Sequence, residues 1–193
     1  ADGGVRPIAP VSLGDTTLRS PTLRFALPTG ADGALIELCR DRACSIVIET
    51  LRVTGNSARP AAPLPASAVV FWRARARVGL SDDVAAHVGP TWLFHTPARD
   101  NSGAIDSSYN PHLDVNGDGF DDIIVGAPFA ALRQDNDRRG TVSVFHGSAA
   151  GIAAVAARTL EGAARGDVFG YSVAGAGDLN GDGFGDIVVG APF

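Results

Sequence analysis

Asp114, Asn116, Asp118 and Asp122 stand at the first, third, fifth and ninth positions of a nine-residue stretch, and Asp178, Asn180, Asp182 and Asp186 repeat that spacing. In a tightly curled loop alternate residues point to the same side. Positions one, three and five therefore converge, and the backbone carbonyl of position seven, Phe120 or Phe184, joins them. Asp122 and Asp186 close the shell. Three carboxylates, one amide and one carbonyl, with bidentate binding or water, reach the roughly six to eight oxygens that calcium prefers, whereas magnesium demands a smaller and stricter octahedron. Gly117, Gly119, Gly181 and Gly183 supply the backbone freedom such a curl requires. The expected cofactor is Ca2+, at two sites.

The elements around the loops narrow the assignment. Leu113–Phe129 and Gly177–Phe193 match at 13 of 17 positions and lie 64 residues apart. An EF-hand needs a bidentate Glu at position twelve, and dockerin-type loops also carry an acid there. Position twelve is Val125 in one copy and Val189 in the other, so both readings fail. The β-branched runs Ile123–Val125 and Ile187–Val189, each followed by Gly-Ala-Pro, read instead as buried strands ending in turns. A metal-free turn rich in Asp, Asn and Gly is the alternative, and the identity of ligand types in both copies favours the metal.

Phe169-Gly170, Asp178-Leu-Asn-Gly-Asp-Gly and Gly190-Ala191-Pro192 together resemble an FG-GAP repeat, the blade unit of the integrin α-chain β-propeller. The resemblance covers residues 104–193. It implies a calcium loop on a hairpin between blade strands, with Gly140–Gly147 as a further strand of the preceding blade and Leu160–Gly162 as the lead into the next. The first copy departs from the pattern: Ile105-Asp106 stand where Phe-Gly would be, in an opening strand read as Ala104–Tyr109. Closed propellers hold about four to eight blades, and a 64-residue period fits this region less than one and a half times. The expectation is an incomplete propeller, either the N-terminal portion of a longer protein or a protomer completed by a neighbour.

Residues 1–97 have a different texture. Alternation at Leu23-Phe25-Leu27 and at Val70-Trp72-Ala74-Ala76-Val78 marks half-buried strands. Ala34–Arg40, Ser45–Val53 and Thr91–His95 add further candidates between turn signals rich in Gly and Pro. Several short strands in a domain of this length fit a β-sandwich, and Phe71–Ala76 resembles a late strand of a fibronectin type III domain. The fold class is therefore all-β, an immunoglobulin-like sandwich (1–97), a hinge (98–103) and propeller-type blades (104–193). Cys39 and Cys44 form a short structural disulfide in an oxidising compartment, or remain two buried thiols. Zinc or redox chemistry fits their spacing poorly.

The composition excludes several functions. A net charge of −5 argues against a general nucleic-acid binder. No apolar run reaches membrane-spanning length. The chain has no Met and begins at Ala1, which suits a processed exported protein. All 16 basic residues are Arg, as GC-rich bacterial codon usage produces. Arg73, Arg75 and Arg77 form a solvated, edge-protecting face or meet an acidic polysaccharide. Arg165-Gly166-Asp167 reads as a turn. His87, His95, His112 and His146 form no ligand pattern, and Gly170–Ala174 is no nucleophile elbow. The expectation is an extracellular or bacterial cell-surface, non-catalytic binding and adhesion module with a protein or glycan partner. Two alternatives stand beside it: a fibre or surface-layer protomer donating strand Val5–Leu13, and an accessory region of an exported enzyme.

Overall fold

The computed structural model describes residues 4–78, 88–100, 112–130 and 138–193. Every regular element among them is a β-strand. Backbone proximity divides the chain into two units, Ala1–Tyr109 with Asn180–Phe184, and Asn110–Leu179 with Gly185–Phe193.

In the first unit β1 (Arg6–Ala9), β3 (Leu23–Ala26) and β6 (Ser57–Ala58) form a three-stranded sheet in the order β1-β3-β6. The strands β2 (Gly14–Asp15), β4 (Gly33–Cys39), β5 (Val47–Thr54), β7 (Val69–Arg77) and β8 (Trp92–His95) make a second sheet, ordered β2-β8-β7-β4-β5. All its pairings are antiparallel except the parallel β2-β8 pair. The two sheets share one core. Leu23 and Phe25 from the first meet Ala34, Ile36, Leu38, Val70, Trp72, Ala74 and Phe94 from the second. Period-two patterning accounts for this, because alternate residues of β4 and β7 turn to the same face.

The opposite face of the larger sheet holds a smaller apolar cluster of Leu13, Cys39, Cys44, Phe71 and Leu93. Cys39 and Cys44 are disulfide-bonded there, with their Cα atoms 5.1 Å apart. Asp41 organises the short loop that they close: its carboxylate accepts Ser45 N–H at 3.0 Å, Ser45 O–H at 2.8 Å and Ile46 N–H at 2.7 Å. Those bonds, the Ser45 amide first, hold the Asp41 carboxyl below its ordinary value.

Two expectations for this unit change. The arginine stripe is not freely solvated: Arg77 is only 8% exposed, and Arg73 donates to Glu37 at 2.8 Å. The strand β4 pairs along all of it, whereas β8 pairs only with Val69–Trp72 and Arg75 bridges Val88. Val5–Leu13, read as a strand to be donated, is used at home. There β1 pairs with β3, Val5 and Leu13 are buried, and Leu13 N–H donates to Leu93 O at 3.0 Å.

In the second unit β9 (Ile123–Ala127), β10 (Thr141–Phe145) and β11 (Arg158–Glu161) form an antiparallel sheet with β10 central, and β12 (Ser172–Gly177) pairs with β13 (Asp186–Gly190). The runs after each loop are strands, as their β-branched residues require, but they are not buried: Ile123, Val125 and Val188 are 45%, 46% and 54% exposed. Val142 and Val144 of the central strand carry the burial instead. The expected opening strand Ala104–Tyr109, His87 and part of the 98–103 hinge lie outside the described residues. Arg165-Gly166-Asp167 is a turn, closed by Asp167 accepting Ala164 N–H at 2.6 Å.

The Phe-Gly and Gly-Ala-Pro signatures meet within this unit. A Cβ on Gly126 would stand 2.2 Å from Gly170 O, and one on Gly170 would stand 2.6 Å from Thr141 O. Gly170 also has a φ of 85° and donates to Gly190 O at 3.1 Å. Only glycine allows backbone to approach backbone so closely.

Candidate calcium loops

Each loop joins a strand-forming apolar run through a curl that glycine makes possible, with Gly117, Gly119, Gly181 and Gly183 at positive φ. Four hydrogen bonds recur in both copies. Asn116 Nδ2 donates to Asp118 Oδ2 at 2.9 Å, and Asn180 Nδ2 to Asp182 Oδ2 at 3.0 Å. The fifth-position amide donates to the Asn carbonyl oxygen at 3.1 and 2.9 Å. The Phe120 and Phe184 amides each donate to the fifth-position Asp at 2.9 Å. The ninth-position Asp accepts the second-position amide, Val115 or Leu179, at 2.8 Å in each copy. The network links position three to five, five to seven and two to nine in each loop.

The first loop is the more enclosed. Asp114 is 1% exposed and Asp122 is 6% exposed. Asp114 accepts Asp118 N–H at 3.1 Å and Gly119 N–H at 2.8 Å. Burial pushes its carboxyl above the ordinary value and the Asp118 charge adds to that, against the pull of those amides. Asp122 uses its second oxygen to accept Gly147 N–H at 2.8 Å, beyond the end of β10. Asp121 is not drawn inward: it is 58% exposed and lies 2.8 Å from His112 Nδ1.

The second loop is held from outside. Trp92 Nε1 donates to Gly181 O at 3.0 Å, and the Arg42 guanidinium donates to Gly183 O at 2.7 Å and Asp182 O at 3.2 Å. The same guanidinium lies 3.6 Å above the Phe184 ring. These carbonyls belong to positions four to six, so the position-seven carbonyl expected to face an ion is not among the acceptors they use. Sequence reasoning missed Arg42, Trp92 and Gly147, since no local pattern reports so distant a contact. It also missed why position eight is Asp121 in one copy and Gly185 in the other. Gly185 N–H donates to Asp114 O at 2.6 Å, and a Cβ there would stand 2.9–3.0 Å from Asp114 backbone atoms.

An all-oxygen, anionic donor set with a buried first-position carboxylate fits a hard divalent cation. Asp114, Asn116, Asp118, Phe120 O and Asp122, with Asp178, Asn180, Asp182, Phe184 O and Asp186, are the groups that would hold it.

Residues 112–145 and 169–193 match the FG-GAP repeat family. The chain is 31% identical to integrin alpha-7 of Rattus norvegicus over 203 aligned residues, covering 94% of this chain and 17% of that protein. It is 44% identical to integrin alpha-V of Gallus gallus over 89 residues, 44% of this chain and 8% of the relative. Integrin alpha pat-2 of Caenorhabditis elegans is 42% identical over 82 residues, 40% of this chain and 6% of the relative. The chain thus spans less than a fifth of the length of each. These relatives are animal proteins and lend no support to a bacterial reading of the arginine-only composition. No helix of the described residues is long and apolar enough to cross a membrane.

Proposed function

We propose that this chain is the calcium-stabilised part of an extracellular, non-catalytic recognition and adhesion protein, in which ion-filled loops stiffen blade hairpins that present a surface to a protein ligand. The observation that carries this reading is the same four-bond scaffold in two loops of matching ligand types. Similarity to integrin α subunits supports the adhesion role, and the disulfide fits an oxidising, extracellular compartment. The first unit reads as an immunoglobulin-like sandwich, and its sheet order β1-β3-β6 against β2-β8-β7-β4-β5 supports that. The fibre-protomer reading loses its donor, because Val5–Leu13 is engaged in its own sheet.

A ligand bound only by the native state stabilises it by RT ln(1 + [L]/Kd), so millimolar calcium over sites of ~10–100 μM adds roughly 1.4–2.7 kcal/mol. Calorimetric melting with calcium and with chelator measures this. Asp118→Ala combined with Asp182→Ala is expected to abolish the difference. Melting of the parent chain that ignores both calcium and chelator would reduce the loops to bare turns.

A further inference from the structure

Strand register gathers four cations on one face of the larger sheet. Arg73, Arg75 and Arg77 alternate along β7, at about 7 Å intervals for an extended strand. Leu35 stands opposite both Arg75 and Arg52, so Arg52 of β5 shares their face. Asp15 of β2, in register with His95, and Glu37 are the acids among the described strand residues of that face, and Glu37 is paired across from Arg73. Glu37 lies 2.8 Å from Arg73 Nε and 3.7 Å from Arg75 Nε, the latter too far for a hydrogen bond. Arg77 is 8% exposed, and the buried Nε atoms of both Arg75 and Arg77 have no hydrogen-bond partner. A buried donor atom without an acceptor is costly. In a chain of net charge −5 this face is a local concentration of the opposite sign.

We propose that this face binds a linear sulfated polysaccharide. The planar guanidinium fork matches sulfate oxygens as it matches phosphate. A row of such forks on a rigid strand answers a polymer carrying a fixed anion on each repeating unit. An acidic peptide fits less well. Strand addition needs a free edge, and along the arginine row β7 is paired with β4 on one side and bridged to Val88 through Arg75 on the other.

Heparin is the probe, with dextran as the uncharged control and poly-glutamate as the peptide control, each titrated into the full chain at about 50 mM salt, where surface charges are weakly screened. Heparin is expected to bind and dextran not to. Arg75→Gln, whose side chain is about one-third exposed, is expected to weaken binding about two- to fivefold and to lower the salt slope. Arg75→Lys, which keeps the charge and loses the planar fork, is expected to recover only part of the affinity, and an unchanged melting temperature of both variants separates lost binding from lost fold. Arg73→Gln is the second probe of the row. Binding is expected to persist in chelator and in the Asp118→Ala, Asp182→Ala chain, so it stands or falls apart from the calcium reading. Absence of heparin binding, affinity indifferent to both Arg73→Gln and Arg75→Gln, or poly-glutamate binding as tightly as heparin would each overturn the proposal.

Discussion

The two aspartate loops are written with nearly the same residues and share four hydrogen bonds, yet they are secured by different means. The first is anchored from within: Asp122 is buried and spans from Val115 N–H to Gly147 N–H, tying the curl to the end of β10. The second is clasped by side chains far away in sequence, Arg42 and Trp92, acting on its backbone carbonyls. Identical local chemistry therefore specifies the curl, and the wider fold decides how firmly the curl is held.

The largest expected break in this parallel comes from the ninth position. Asp122→Ala leaves two amides without their charged acceptor in a buried setting and is expected to cost about 3 kcal/mol. Asp186→Ala, at a half-buried site with the Leu179 bond, should cost about 1 kcal/mol. Urea unfolding in chelator, which removes any ion contribution, measures both, and equal losses would erase the distinction.

Restoring the repeat with Gly185→Asp comes next. Its Cβ would press on the Asp114 backbone, at a cost of about 2 kcal/mol. Because Asp114 opens the first loop, calcium titration should show that loop weakened too. Arg42→Ala should cost about 1 kcal/mol by removing the Phe184 stacking and two carbonyl bonds. Its effect on calcium affinity is expected in the second loop alone.

The smallest effect lies away from both loops. The Asp41 carboxyl is held below its ordinary value by the Ser45 and Ile46 amides. The native state therefore takes up that proton less readily than the unfolded chain, and the stabilisation is present above the unfolded value near 3.8 and lost as pH falls through the folded one. Asp41→Asn should slightly lower the neutral plateau of a stability-against-pH curve and flatten its acid limb, leaving the most acid end nearly unchanged.

Much of this molecule was legible in its residues because the signals were short-range. Alternation along Val70–Ala76 marked the face that packs into the main core, and Gly117 and Gly119 marked the tight curl of the first loop. Burial was less legible. Ile123 and Val125 have the composition of an interior strand, but composition does not say what will lie against them. Arg73, Arg75 and Arg77 misled for the same reason, since their surroundings depend on β4, whose pairing partners cannot be read from β7. The strand β12 escaped notice because Ser172–Gly177 is mostly small residues with little apolar contrast. The substitution of Gly for Asp at position eight was visible as a break in the repeat, and a close backbone approach is a standing explanation for such a glycine.

The contact between Gly126 and Gly170 carries a further consequence. One belongs to the closing signature of a repeat and the other to the opening signature of its successor, so every complete copy of the motif carries both halves of a joint, a socket behind and a tenon ahead. Such a joint is head-to-tail, the closing end of one repeat against the opening end of the next. A single methyl group at either glycine would jam the joint, so the hinge of this modular economy is the smallest side chain available.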